Sequence, residues 1–176
     1  MAFRKVWFLM WQLIGLGLAQ SNIQVAPVQA RQVVEVPAER CPPDYTEYSN
    51  FCYRVFTTRK TWAGAEAECR TENLPTGQGH LVSILSNDEN CFVKGLWLKT
   101  NPPKRGCYST AWIGLSDTDE GGNSGFIWSD GNGASYKNWA NNQPNTNGNK
   151  YCASFKRGGD WTTASCERKK RFICKV

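Results

Sequence analysis

Residues 111–115 read Ala-Trp-Ile-Gly-Leu. A short run of aromatic and β-branched residues with turn-forming borders predicts a strand. Four other stretches have the same character: Phe-Cys-Tyr-Arg-Val-Phe at 51–56, Gly-Phe-Ile-Trp at 125–128, Tyr-Cys-Ala-Ser-Phe at 151–155 and Arg-Phe-Ile-Cys-Lys-Val at 171–176. On the N-terminal side of 111 the period changes. Trp62, Ala65 and Cys69 share one helical face behind Thr61, a capping residue. Ser86-Asn87-Asp88-Glu89 has the form of a capping box, in which the Ser86 hydroxyl takes the amide three residues on and Glu89 reaches back. Phe92, Val93 and Leu96 give that second helix its apolar face, and Pro102-Pro103 lie beyond its end. Helices early and strands mostly late imply an α+β fold with antiparallel pairing, not an alternating parallel sheet.

The cysteines gain meaning from the start of the chain. Arg4 and Lys5 precede an apolar run from Val6 to Leu18, and Gly17 and Ala19 supply the small residues of a cleavage site. This is the pattern of a secretory signal peptide over residues 1–19, too short to span a bilayer. The expected location is therefore extracellular, with no membrane span in residues 20–176. All eight cysteines lie after the signal, the count is even, and no C-x-x-C pair suggests a metal. Four disulfides are the expectation, with the pairing left open by the spacing. Residues 20–40 contain neither an aromatic residue nor a cysteine and read as a spacer. The packed domain is expected over 41–176. Removing the signal takes away Arg4 and Lys5 and no acid, lowering the formal net charge from +6 to +4. A surplus that small, with no basic stripe interleaved with aromatics, does not suggest nucleic acid. It does permit an anionic matrix or mineral as partner.

Two segments stand out from this framework. Residues 117–149 hold 6 Gly and 8 Asn and keep no period outside the 125–128 patch. Irregular stretches of that length inside a compact domain are often binding loops. Arg168-Lys169-Lys170-Arg171 is the sharpest charge run, readable either as a solvated turn or as a cationic face for sulfated glycan, anionic lipid or acidic protein. The chain has a single histidine, His80, so neither a histidine metal site nor a nucleophilic relay assembles around it. No acid pair with a catalytic spacing is evident. The expectation is a protein that is not an enzyme and has no catalytic residues.

Taken in order, several of these pieces form a pattern. Cys41 and Cys52 bracket Asp-Tyr-Thr-Glu-Tyr-Ser-Asn-Phe. Thr61-Trp62, Ala65 and Cys69 come next, then His-Leu-Val-Ser-Ile at 80–84, Trp-Ile-Gly-Leu at 112–115, Trp128, Trp139, and Cys166 ahead of Phe-Ile-Cys-Lys at 172–175. Over residues 41–176 this resembles the C-type lectin-like domain. The resemblance implies two helices with antiparallel sheets and a long irregular loop, stapled by disulfides. It pairs Cys41 with Cys52, Cys69 with Cys174 and Cys152 with Cys166, which leaves Cys91 for Cys107.

The resemblance also points to a ligand site. Sugar-binding members of that family carry Glu-Pro-Asn or Gln-Pro-Asp in the long loop, a Glu two residues before the third-last cysteine, and Trp-Asn-Asp on the next strand. Those oxygens hold one Ca²⁺, which takes 6–8 oxygen ligands and gains much of its affinity from carboxylates. The corresponding residues here are Gln143-Pro144-Asn145, Lys150 and Trp161-Thr162-Thr163. No carboxylate remains among them, and an ammonium has been gained. A lysine beside a cation repels it by several kcal/mol at short range even in a moderately polarisable medium, about as much as a millimolar site provides in total. The expectation is no metal ligands and no cofactor at the usual calcium position, with Gln143, Pro144, Asn145, Lys150, Thr162 and Thr163 as a ligand surface. The reading is a secreted lectin-like protein that recognises a glycan or an extracellular protein with weak or no calcium dependence. A calcium-dependent lectin with an altered site and a matrix- or mineral-associated structural protein are the alternatives.

Overall fold

A computed structural model describes residues 40–74, 77–100, 109–117 and 125–176. The chain divides into the units Met1–Pro37 and Ala38–Val176. The first lies outside the described residues, and with it the signal-peptide and most of the spacer expectation. Along the second run β1 (Thr46–Tyr48), β2 (Phe51–Lys60), α1 (Trp62–Cys69), β3 (Asn73–Leu74), β4 (Gly77–Gln78), β5 (His80–Leu81) and α2 (Asn87–Thr100). There follow β6 (Ala111–Asp117), β7 (Phe126–Trp128), β8 (Cys152–Phe155), β9 (Trp161–Ala164) and β10 (Lys170–Lys175).

The main sheet has the order β1-β2-β10-β6-β8-β9, with β5 on β10 and β7 on β6. All seven residues of β6 are buried, which fits a strand covered on both faces. Gly114 shows why that strand needs a glycine: a Cβ there would lie 2.6 Å from the Leu81 carbonyl oxygen and 2.8 Å from Ser129 Oγ. One pairing departs from the sequence expectation. β10 runs parallel to β6, through Arg171–Ala111 and Phe172–Trp112, while every other named pair is antiparallel. The last strand inserts between β2 and β6, and strand direction follows from that insertion and not from composition.

Both helices start where their caps predict. Thr61 Oγ1 accepts from Gly64 N at 3.2 Å, and α1 buries Ala65 and Cys69. Ser86 Oγ accepts from Glu89 N at 3.1 Å. The return half of the expected box differs. Glu89 Oε2 accepts from the Leu85 amide at 2.8 Å, and Oε1 accepts from Tyr53 Oη and from Lys175 Nζ, each at 2.7 Å. The carboxylate is drawn inward by a buried cation and so serves the core as well as the cap. Inside lie four fully buried tryptophans, Trp97, Trp112, Trp128 and Trp161.

Three expected disulfides are formed: Cys41–Cys52, Cys69–Cys174 and Cys152–Cys166. Cys69 and Cys174 are fully buried and join α1 to β10. For the fourth expected pair, Cys107 lies outside the described residues; Cys91, exposed on α2, makes no disulfide in this structure.

Candidate functional site

Trp161 organises the long loop. Its ring lies edge-on to Trp128, Tyr136 and Trp139 at centroid distances of 5.5, 5.7 and 5.8 Å. Its Nε1 donates to Asn90 Oδ1 at 3.0 Å, tying the loop to α2. The backbones of Asn138 and Ala140 bond to Trp161 on either side, at 2.8 and 2.9 Å. Beyond this anchor the chain reaches Gln143-Pro144, a cis peptide.

Of the expected ligand residues, Gln143, Asn145 and Thr163 come together around one hydroxyl, whereas no hydrogen bond or ion pair among the described residues brings Lys150 into that cluster. Gln143 Oε1 accepts from Thr163 N at 2.9 Å and lies 2.9 Å from Thr163 Oγ1. The same Oγ1 accepts from Asn145 N at 3.0 Å and lies 2.6 Å from Asn145 O. A hydroxyl has one proton to give; the shorter contact, to the Asn145 carbonyl, takes it, and Gln143 Oε1 keeps the backbone donor. Thr163 is buried and sits on β9 opposite Ala153. Asn145 Oδ1 in turn accepts from Asn147 N at 3.0 Å. Both amide carbonyl oxygens of the tripeptide are thus engaged within the protein. What the two side chains have left to offer is donors, their NH₂ groups.

Asp160 is the nearest acid in sequence, but it stands at the other end of the β8–β9 hairpin from Thr163. Phe155 pairs with Trp161 there, whereas Cys152 pairs with Ala164 beside Thr163. Three residues of strand separate them by about 10 Å, and Asp160 Oδ2 is taken by Lys156 Nζ at 2.6 Å. Among the described residues no three His, Cys, Asp or Glu side chains converge as metal ligands would. His80 Nδ1 meets Glu66 Oε1 at 2.7 Å, and Glu66 Oε2 accepts from Leu81 N at 2.9 Å, a contact that holds α1 to β5.

The basic run is split by the structure. Arg168 and Lys169 are exposed, whereas Lys170 turns inward and donates to Thr110 Oγ1 at 2.6 Å and Ser154 Oγ at 3.3 Å. Its amine lies 4.9 Å from the Trp112 ring centroid. Burial, and then the nearby Arg168 charge, lower its pKa to about 8. The split falls where the exposed turn ends and β10 begins at Lys170, a boundary that four consecutive cations conceal in the sequence.

The frame and its closures match a family pattern across most of the chain: residues 58–176 fit the family model described as Lectin C-type domain. The chain belongs to the C-type lectin domain family. It is 38% identical over 145 residues to the alpha-N-acetylgalactosamine-specific lectin of Patiria pectinifera, covering 78% of this chain and 83% of that one. The human lithostathine structure superposes with a TM-score of 0.69 at 33% identity, over 84% of this chain and 99% of the other. A calcium-independent type II antifreeze protein superposes with a TM-score of 0.63 at 26% identity, over 77% and 93%. Among the described residues of this lectin-family chain, no helix is long and apolar enough to cross a membrane.

Proposed function

We propose that this C-type lectin-family chain is a secreted binding protein, not an enzyme. In this reading it recognises a glycan or an extracellular protein through its long loop, with little or no calcium dependence. The observation that carries the reading is the Thr163 hydroxyl, held between Gln143 and Asn145 where family members place a calcium-binding carboxylate. The donor set does not fit the ion. The Gln143 oxygen is engaged by β9, Lys150 brings a positive charge, and Thr162 and Thr163 offer neutral hydroxyls where Ca²⁺ affinity depends on carboxylates. Hydrogen bonds take over the ordering that an ion would otherwise provide.

The surface left is rich in donors, and it suits a ligand that presents acceptors: sugar oxygens, a uronic or sialic carboxylate, or an acidic side chain on a protein. Relatives fit such a use. One is named for specificity toward alpha-N-acetylgalactosamine, and another is described as calcium-independent. A glycan array probed with and without chelator tests the reading: bound spots should persist in chelator. In calorimetry, Ca²⁺ added to the folded protein should give no saturable heat, and a micromolar site competing with free sugar would overturn the assignment. Thr163→Val should lower the affinity for any array ligand, because the amides then lose their fixed spacing.

A further inference from the structure

The strand β2 end, the segment entering β6 and the turn before β10 meet at a second concavity, away from the tripeptide. It has a volume of about 200 Å³. Arg59 forms one wall, Ser109 and Thr110 a second, and Arg168 to Arg171 the third. Five of these seven side chains are cationic, two are hydroxyls, and none is acidic.

Neighbouring cations show how unusual that is. Lys60, adjacent to Arg59, is ion-paired with Glu68, and Lys156 is paired with Asp160. Arg59, Arg168 and Lys169 have no carboxylate partner among the described residues. Like charges brought together repel, and more strongly where water is partly excluded. The fold nonetheless holds them in place. The Cys152–Cys166 disulfide pins the turn, Trp62 N donates to the Cys166 carbonyl at 2.9 Å, and Arg168 N donates to the Ser165 carbonyl at 3.1 Å. Lys170 is fixed at the floor by Thr110 and Ser154. A cleft whose turn backbone is pinned, and in which Arg59, Arg168 and Lys169 have no carboxylate partner among the described residues, is preorganised for an anion.

We propose that this cleft is a ligand site distinct from the long-loop surface, and that it takes a sulfate ester of a sulfated glycan. The volume suits one tetrahedral oxyanion and not an extended peptide. Guanidinium groups and hydroxyls present the forked and single donors that such an oxyanion accepts. The exposed Arg59 and Lys169 lie at the rim, where they meet the flanking charges of a polymer. A membrane is disfavoured: among the described residues the large exposed apolar side chains are Phe51, Leu85 and Ile127, and none of them lines the cleft as an apolar anchor would.

The test titrates a heparin hexasaccharide and its desulfated counterpart into the full protein in chelator. The sulfated form should bind at least about tenfold tighter. The pair Arg59→Ala with Arg168→Ala should weaken it by about tenfold or more. Arg70→Ala with Lys99→Ala, equal in charge but outside the cleft, should change it by less than about twofold. The same Arg59→Ala, Arg168→Ala pair should leave binding to unsulfated array spots unchanged, which separates this site from the loop reading. On the unaltered protein the hexasaccharide should protect the exposed Lys169 from amine acylation. Equal loss in the charge-matched control, equal binding of the desulfated sugar, or absence of protection would each overturn the proposal. So would tighter binding to phosphatidylserine vesicles with the same dependence on Arg59 and Arg168.

Discussion

At the scale of single residues, the chemistry of the loop turns on Thr163 and Lys150. A threonine hydroxyl is one atom group smaller than an aspartate carboxylate and carries no charge, so it can donate to the Asn145 carbonyl at 2.6 Å where a carboxylate could only repel it. If the missing charge is what separates this site from a calcium site, restoring it should restore the ion. Lys150→Glu combined with Thr163→Asp should give a protein whose melting temperature rises with added Ca²⁺ and returns with chelator, while the unaltered chain responds to neither. Stabilisation by a ligand at about 100 times its Kd is about 2.7 kcal/mol, well within reach of a thermal scan. A flat response in the double variant would place the obstacle in the backbone instead. The sequence announces which positions matter here, because the cysteines and Trp161 fix the frame. It does not announce that Gln143 Oε1 is consumed by the Thr163 amide, since that depends on a side-chain rotation and not on residue type.

At the scale of elements, the N-terminus of α2 does more than its capping pattern states. Ser86 and Glu89 are legible as a cap because that signal is local. The partner that redirects Glu89 is Lys175, 86 positions away on β10, and no local pattern can reveal it. The pair is almost fully buried, at 8% and 9% side-chain exposure, and Tyr53 Oη supplies a further bond to Glu89. Burial and the adjacent carboxylate push the Tyr53 pKa up. Removing one charge of a buried pair leaves the other uncompensated, at a cost of about 3–5 kcal/mol. Lys175→Met should therefore destabilise the domain by about that much in urea unfolding, and adding Glu89→Leu should recover a large part of the loss. Additive losses would mean the two residues act separately. The parallel β10–β6 pairing has the same origin: it is a long-range closure, invisible to strand propensity, which reads only the residues within each run.

For the whole molecule, the ends of the domain are joined by Cys69–Cys174, which closes a loop of 105 positions. Chain-entropy reasoning assigns such a closure about 4–5 kcal/mol, so Cys69→Ala with Cys174→Ala should lower stability by that order while the other staples remain. That pairing is legible only through the family pattern, because spacing alone leaves the connectivity open. The global response to pH follows from groups spread over several elements. The Lys170 pKa is lowered to about 8 from the ordinary 10.5 by burial and Arg168, so between those values the unfolded chain holds a proton that the folded one has released. Stability therefore rises with pH across that window. Tyr45, Tyr53 and Tyr136 have raised pKa values, chiefly from burial, then from Glu72, Glu89 and Cys91 respectively. Above about pH 10 the unfolded tyrosines ionise first, and stability falls. Together these groups give a rise from about pH 8, a turnover near 10, and a decline driven by three tyrosines against one lysine. Denaturant midpoints measured over this range in Cys91→Ser with Cys107→Ser, which removes both cysteines outside the three disulfides so that no thiol can attack them at alkaline pH, should trace that shape. Adding Lys170→Met should flatten the rise and spare the decline; a rise that survives would show that the buried amine is not its source.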